Sequence, residues 1–279
     1  MRAVSPDATR RRLGAAASAG FALAVLPVSA TTITTSAAGL VTDNVGIPRP
    51  DGTLPAYVAR PAKPSGLLPV ILVVQEIFGV HAHIRDLCRR LAHAGYFAIA
   101  PELYFRQGNP SLIHDIPTLM SGIVARVPDE QVMADLDATL AWAAAHGADD
   151  GRAGITGFCW GGRITWLYAA RQAAVKAAVA WYGRLDGERT ALAPTQPVDI
   201  AGKLRIPVLG LYGAEDTGIG KPQVDAMRAA LEGTASRIVV YPGAGHGFNA
   251  DYRPGYHPEA ARDGWARMLA WFAANGVKP

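Results

Sequence analysis

The sequence predicts an α/β fold, a single domain on a mostly parallel, doubly wound sheet with helices on both faces. Two observations carry this. Apolar runs such as Pro-Val-Ile-Leu-Val-Val at Pro69–Val74 alternate with stretches of helical periodicity along the chain. Most of those runs are apolar throughout, as strands buried on both faces are, rather than alternating with polar residues. Length and composition agree. The chain has 279 residues, 50% hydrophobic and 18% charged, enough for one sizeable core. There is no internal repeat and no sign of a second globular domain.

Taken in order, the chain opens on a basic cluster, Thr9-Arg10-Arg11-Arg12-Leu13, then an apolar stretch from Gly14 to Pro27 and the small-x-small triplet Val28-Ser29-Ala30. Paired arginines before a mildly hydrophobic Ala/Gly-rich run resemble a twin-arginine export signal. Residues 1–30 are therefore read as a signal peptide, and the mature protein as periplasmic or secreted in a bacterium. The run is too short and too rich in Ala and Gly for a comfortable span, so no stable membrane anchor is expected. Residues 31–39 read as a flexible lead-in and 40–279 as the folded domain.

Leu40–Pro48 and Leu54–Arg60 bracket the turn signal Arg49-Pro50-Asp51-Gly52, predicting an edge hairpin. The strand Pro69–Val74 runs into Gln75-Glu76-Ile77-Phe78-Gly79. A helix over His83–His93 aligns Ile84, Leu87, Cys88 and Leu91 on one face, which makes Cys88 a core residue. A strand at Tyr96–Ala100 precedes a longer connection, helical near Pro117–Ala125. An amphipathic helix covers Asp129–His146. After the run into Gly157 come a helix at Arg163–Arg171 and strands at Val175–Trp181 and Pro207–Tyr212. A helix at Pro222–Leu231, a strand at Arg237–Tyr241 and a last helix at Pro258–Ala273 complete the pattern.

Several function classes have little support. The net charge of +4 owes part of its excess to Arg2, Arg10, Arg11 and Arg12, and no basic stripe interleaved with aromatics follows, so no nucleic-acid partner is expected. There is no metal-ligand spacing and no dinucleotide fingerprint, so neither metal nor cofactor is predicted. The expected partner is a small molecule, and the expected state a monomer.

In such a sheet, chemistry sits at the carboxyl ends of the strands. Glu76 follows the Pro69–Val74 strand. Cys159 lies in Gly157-Phe158-Cys159-Trp160-Gly161, a nucleophile-elbow pattern with cysteine in the serine position. A sharp strand-to-helix turn needs small neighbours, and it sets following N–H groups at a helix N-terminus, where they favour a thiolate and an oxyanion. Taken alone, the pentapeptide also suits a buried cysteine on a Gly-rich turn. Asp216 follows the Pro207–Tyr212 strand in Gly213-Ala214-Glu215-Asp216 and is preferred to Glu215 for its offset. His246 follows Arg237–Tyr241, between glycines. The order nucleophile, acid, histidine is that of α/β-hydrolases. Glu76 reads either as a surface acid or as a second base near the thiol.

Together, Gln75-Glu76-Ile77-Phe78-Gly79, Pro101-Glu102-Leu103-Tyr104-Phe105-Arg106-Gln107, Gly157–Gly162, Tyr212–Asp216 and Gly245-His246-Gly247-Phe248 resemble the dienelactone hydrolase (carboxymethylenebutenolidase) family of the α/β-hydrolase fold. The resemblance spans roughly Leu40 to Ala273. It implies a Cys159–Asp216–His246 triad, with Glu76 taking the thiol proton on substrate binding. It also implies an oxyanion hole from the Ile77 and Trp160 N–H groups, and Arg106 holding a substrate carboxylate beside Tyr104, Tyr182 and Phe78. One departure is visible. Family members that act on dienelactone carry a second arginine shortly after the histidine, paired with the glutamate; here Arg253 is displaced. The implied activity is hydrolysis of a lactone or ester. A general carboxylesterase or thioesterase on neutral esters is the alternative, and a non-catalytic binding protein on the same scaffold a further one.

Overall fold

A computed structural model describes residues 32–171 and 174–279; the export signal read in residues 1–30 lies outside them. The chain enters through a hairpin of β1 (Leu40–Arg49) and β2 (Gly52–Pro61), whose Arg49↔Gly52 pairing closes on the predicted turn. Next come β3 (Leu68–Val74), α1 (Ala82–His93) and β4 (Phe97–Pro101). The connection after β4 holds α2 (Ile116–Gly122), started by Asp115, whose side chain accepts from the Thr118 N–H at 2.9 Å. Then follow α3 (Asp129–Ala145), β5 (Ala148–Phe158), α4 (Trp160–Arg171) and β6 (Val175–Trp181). Between β6 and β7, where the sequence pattern predicts no element, Pro197–Ile200 form one helical turn, α5, closed by a capping box of Gln196 and Asp199. The chain ends with β7 (Val208–Gly213), α6 (Lys221–Ala230), β8 (Arg237–Tyr241) and α7 (Pro258–Ala274).

The eight strands form one sheet in the order β1-β2-β4-β3-β5-β6-β7-β8. β1 and β2 are antiparallel to their neighbours, and every pairing from β4 to β8 is parallel. β3 shows why its sequence is apolar throughout. Val70, Leu72 and Val74 pack on one side with Leu136 of α3 and Ile164 of α4. Ile71 and Val73 pack on the other with Leu87 of α1 and Phe272 of α7. Burying each such side chain stabilises by about 1.5–3 kcal/mol, and neither face can tolerate a polar residue. Cys88 is fully buried in the second of these layers. Among the described residues, no helix is long and apolar enough to cross a membrane.

Candidate active site

The parallel strands β3, β5, β7 and β8 all end on one edge, and the loops that leave them carry the four titratable residues predicted for the site. Cys159 is the single residue between β5 and α4, with φ at 55°, a left-handed conformation that costs a non-glycine residue about 1–3 kcal/mol. It is pinned there: its N–H donates to the Trp181 carbonyl at 3.0 Å, and its own carbonyl accepts from Gly162 N at 3.0 Å. The flanking glycines permit close approach. A Cβ on Gly157 would fall on the Gly161 carbonyl, and one on Gly161 would lie 2.5 Å from the carbonyl oxygens of Val74 and Gln75. α4 begins at Trp160, three residues before its periodic signal, because Gly161 and Gly162, poor helix formers that serve close contact, hide its first turn from the sequence pattern.

Beyond β7 the chain turns at once, Ala214 N donating to the Tyr241 carbonyl and Glu215 N to that of Ala244, both at 2.9 Å. The turn leaves Glu215 in solvent and buries Asp216. Asp216 Oδ1 accepts from the N–H groups of Gly218 and Ile219 at 2.9 and 3.0 Å, while Oδ2 lies 2.7 Å from His246 Nδ1. A carboxylate only accepts, so Nδ1 carries the proton and Nε2 faces the sulfur, 3.2 Å from Cys159 Sγ. Burial pushes the Asp216 carboxyl up, but His246 and the two N–H donors outweigh it and hold the group below its usual range. Burial alone would lower the His246 ring; negative charge on the Cys159 sulfur and the bond to Asp216 reverse that and push it up to about 10. The edge of the His246 ring meets Tyr182 at 5.3 Å between centroids.

Ile77 is buried in the turn that follows β3, and Trp160 opens α4. Among the described residues, neither N–H donates to a backbone carbonyl. The Trp160 ring packs on Tyr104 at 4.8 Å.

Glu76 is fully buried. Its Oε2 accepts from the Tyr252 hydroxyl at 2.8 Å and lies 3.1 Å from His81 Nε2. Its Oε1 has no partner among the described residues. Burial pushes this carboxyl up, yet the nearby Arg253 charge and the His81 bond dominate and leave it well below the usual range. Burial outweighs the bond to Glu76 and pushes the His81 ring down. Arg253 reaches this cluster despite its displacement, with its Cζ 5.0 Å from the centre of the Phe78 ring. Arg106 does something different from what its motif implies. Its guanidinium is held by Asp51 and, at 2.6 Å, by the fully buried Asp135, which also binds Arg49 Nε at 2.9 Å. A cavity of about 360 Å³ lined by Met133, Leu167, Leu192 and Ile200 contains none of the predicted site residues.

The model of the dienelactone hydrolase family matches residues 54–276. The chain belongs to the dienelactone hydrolase family. It is 58% identical over 261 residues to the "Putative carboxymethylenebutenolidase" of Salmonella typhimurium, covering 93% of this chain and 97% of that one. It is 59% identical over 262 residues to the protein of the same name from Methylorubrum extorquens, with 92% and 90% covered. A crystal structure of a "Putative Dienelactone Hydrolase" from Klebsiella pneumoniae superposes with a TM-score of 0.83 at 60% identity, covering 84% of this chain and 98% of that one. Membership of this family makes the chain a carboxylic ester hydrolase on the α/β-hydrolase fold.

Three residues of the cluster around Glu76 carry no motif signal: His81, His83 and Tyr252. His81 and His83 read as flanks of a helix start. In the structure they stack 6.1 Å apart, and each ring lies 5.2 Å from that of Tyr252. The only cue available in sequence is proximity in number, His81 to Glu76 and Tyr252 to Arg253.

Proposed function

We propose that the protein hydrolyses a lactone or ester through a thiolate of Cys159, in a triad completed by His246 and Asp216. The observation that carries this reading is the unbroken line Asp216 Oδ2–His246 Nδ1 at 2.7 Å and His246 Nε2–Cys159 Sγ at 3.2 Å. An ordinary thiol with pKa near 8.5 is only a small fraction thiolate at neutral pH, so a neighbouring base is required. His246 Nε2 takes the Cys159 proton, the thiolate attacks the carbonyl carbon, and the oxyanion rests on the Ile77 and Trp160 N–H groups, each worth about 3–4 kcal/mol. The C–O bond breaks as His246 gives its Nε2 proton to the leaving oxygen. His246 then takes a proton from water, which attacks the thioester, releasing the carboxylic acid product and the thiolate. Glu76 is the second acceptor for the thiol proton, held by Tyr252 and His81 until substrate arrives, and Arg253 is the group that meets a substrate carboxylate.

A general carboxylesterase on neutral esters is the second reading. It is favoured by the engagement of Arg106 with Asp51 and Asp135, and by the partly exposed aromatic side chains of Trp160 and Phe78. The deciding experiment compares a dienelactone with p-nitrophenyl acetate, using mature protein and Cys159→Ala. Lactone turnover well above ester turnover, lost in the variant, supports the first reading. Ester turnover alone selects the second. If native protein turns over neither while its thiol titrates as free, the catalytic reading fails.

Export by residues 1–30 belongs to the same proposal. It is supported by folded contacts that begin soon after, where the Thr35 hydroxyl donates to Asp86 at 3.1 Å and Arg89 Nε to the Thr35 carbonyl at 2.8 Å. N-terminal sequencing of periplasmic protein tests it, and a full-length chain in the cytoplasm would reject it.

A further inference from the structure

We infer that Gln75 and Glu102 are positioning residues for the oxyanion hole. Two crossed hydrogen bonds between the turns after β3 and β4 hold the Ile77 N–H in place, and the same stretch, Glu102-Leu103-Tyr104, backs Trp160. The inference rests on the reading in which Cys159 attacks a carbonyl and the Ile77 and Trp160 N–H groups receive the oxyanion.

Ile77 and Phe78 are the central residues of a tight turn, closed by the Gly79 N–H donating to the Glu76 carbonyl at 3.3 Å. One long bond is a weak mount for a donor that must meet an oxyanion at about 2.7–3.1 Å. Two further bonds fix the turn from either side. Before it, the fully buried Gln75 turns its Oε1 to the Leu103 N–H, 3.2 Å away. After it, the Val80 N–H donates to Glu102 Oε2 at 3.1 Å. Each loop thus supplies an acceptor side chain to the backbone of the other. The carboxylate also lies against the turn itself, where a Cβ added at Gly79 would stand 3.1 Å from Oε2. Burial pushes the Glu102 carboxyl above its usual range, and the Val80 N–H is the largest effect opposing that.

The β4 side of this clamp is anchored in its turn. The Glu102 N–H donates to the Pro55 carbonyl on β2 at 2.8 Å, and the Phe105 N–H to the Glu102 carbonyl at 3.1 Å. One residue beyond Leu103, Tyr104 is fully buried, with its ring 4.8 Å from that of Trp160. Three consecutive residues therefore touch both walls of the hole. Glu102 and Leu103 hold the turn that carries Ile77, and Tyr104 backs the residue after Cys159. They set the spacing of two donors that lie far apart in the chain. Donors fixed in advance need no reorganisation when charge develops on the carbonyl oxygen.

The test compares two reactions of one thiolate. p-Nitrophenyl acetate acylates Cys159: a C–S bond forms, charge passes through the carbonyl oxygen, and the C–O bond breaks to release p-nitrophenolate with its electron pair. Iodoacetamide alkylates the same sulfur with loss of iodide and makes no oxyanion. Complete loss of one oxyanion donor costs about 10²–10³-fold, so a donor merely displaced should cost about tenfold. Gln75→Met and Glu102→Ala, which each remove one acceptor, are therefore expected to lower the acylation rate constant about tenfold while alkylation keeps its native rate. Glu102→Gln retains a carbonyl for the Val80 N–H and should restore most of the acylation rate. The two substitutions act on separate bonds, so either variant decides the matter if the other fails to fold. Unchanged acylation, an equal fall in acylation and alkylation, or a Glu102→Gln variant as slow as Glu102→Ala overturns the clamp and leaves the triad standing. Native protein that is alkylated but never acylated removes the hydrolytic reading of Cys159, and the clamp with it.

Discussion

At the residue scale, the proposed triad is a problem of tautomer and charge. Asp216→Asn keeps an acceptor for the Gly218 and Ile219 N–H groups but no longer guarantees the proton on His246 Nδ1. It should lower kcat by about 10³–10⁴-fold with the thermal midpoint little changed, as steady-state kinetics beside calorimetry will show. The His246 ring gives a stability signature as well. Its folded pKa is raised from the ordinary 6.5 to about 10. Its stabilising contribution is therefore full below 6.5 and drains away as pH rises towards 10. Denaturant midpoints should fall across that window in the native protein. Because charge on the Cys159 sulfur leads the effects that raise the ring, the fall should be shallower in Cys159→Ala. Equal slopes in the two proteins would contradict this account.

At the element scale, the elbow is a junction of three pieces of backbone, and its glycines are contact surfaces. Gly161→Ala places a methyl group 2.5 Å from two carbonyl oxygens at the end of β3, so α4 must lift from the sheet. Urea denaturation should register a loss of about 3 kcal/mol or more, and a variant of native stability would refute the packing. The hairpin presents a second case. Asp135 on α3 is fully buried and binds both Arg49 at the end of β1 and Arg106 after β4. Removing the carboxylate leaves Arg49 without this partner and Arg106 with Asp51 alone, and Asp135→Ala should cost about 3 kcal/mol. If Arg106 serves this junction, Arg106→Gln should lower stability without shifting the lactone-to-ester ratio. A shift in that ratio would return Arg106 to the substrate.

At the scale of the whole molecule, burial of carboxylates ties the fold to pH. Glu76, Asp216 and Asp251 are all buried, and in each the charged or donating neighbours overcome desolvation and hold the group below its ordinary value. For a depressed carboxyl the sign is the reverse of that for His246. Its contribution is present above the ordinary 3.8 or 4.5 and is lost as pH falls below it. Acid should therefore unfold the native protein steeply below that range, followed by circular dichroism. Glu76→Gln, which removes one of the three titrations, should give a shallower acid limb.

How much of this was legible in the sequence divides along a physical line. Strand and helix order, the edge hairpin and the core position of Cys88 follow from periodicity and turn chemistry, which are local properties of the chain. The loops that carry Glu76, Cys159, Asp216 and His246 could be placed because a parallel sheet puts all its strand ends on one edge. The single turn at Pro197–Ile200 escaped because one helical turn is too short to show a period. What only the tertiary structure decided is where long side chains point. It turned Arg106 towards Asp51 and Asp135, brought the displaced Arg253 back against Gly247, and set Tyr252 and His81 on Glu76. Some of those contacts join residues far apart in number, 176 positions between Glu76 and Tyr252 and 55 between Arg106 and Asp51, and even the short-range pair of His81 and Glu76 has no periodic signal. A hydrogen bond depends on the direction of two side chains to within a fraction of an ångström, and no local pattern in the chain encodes that; it exists only once the sheet has brought its loops together.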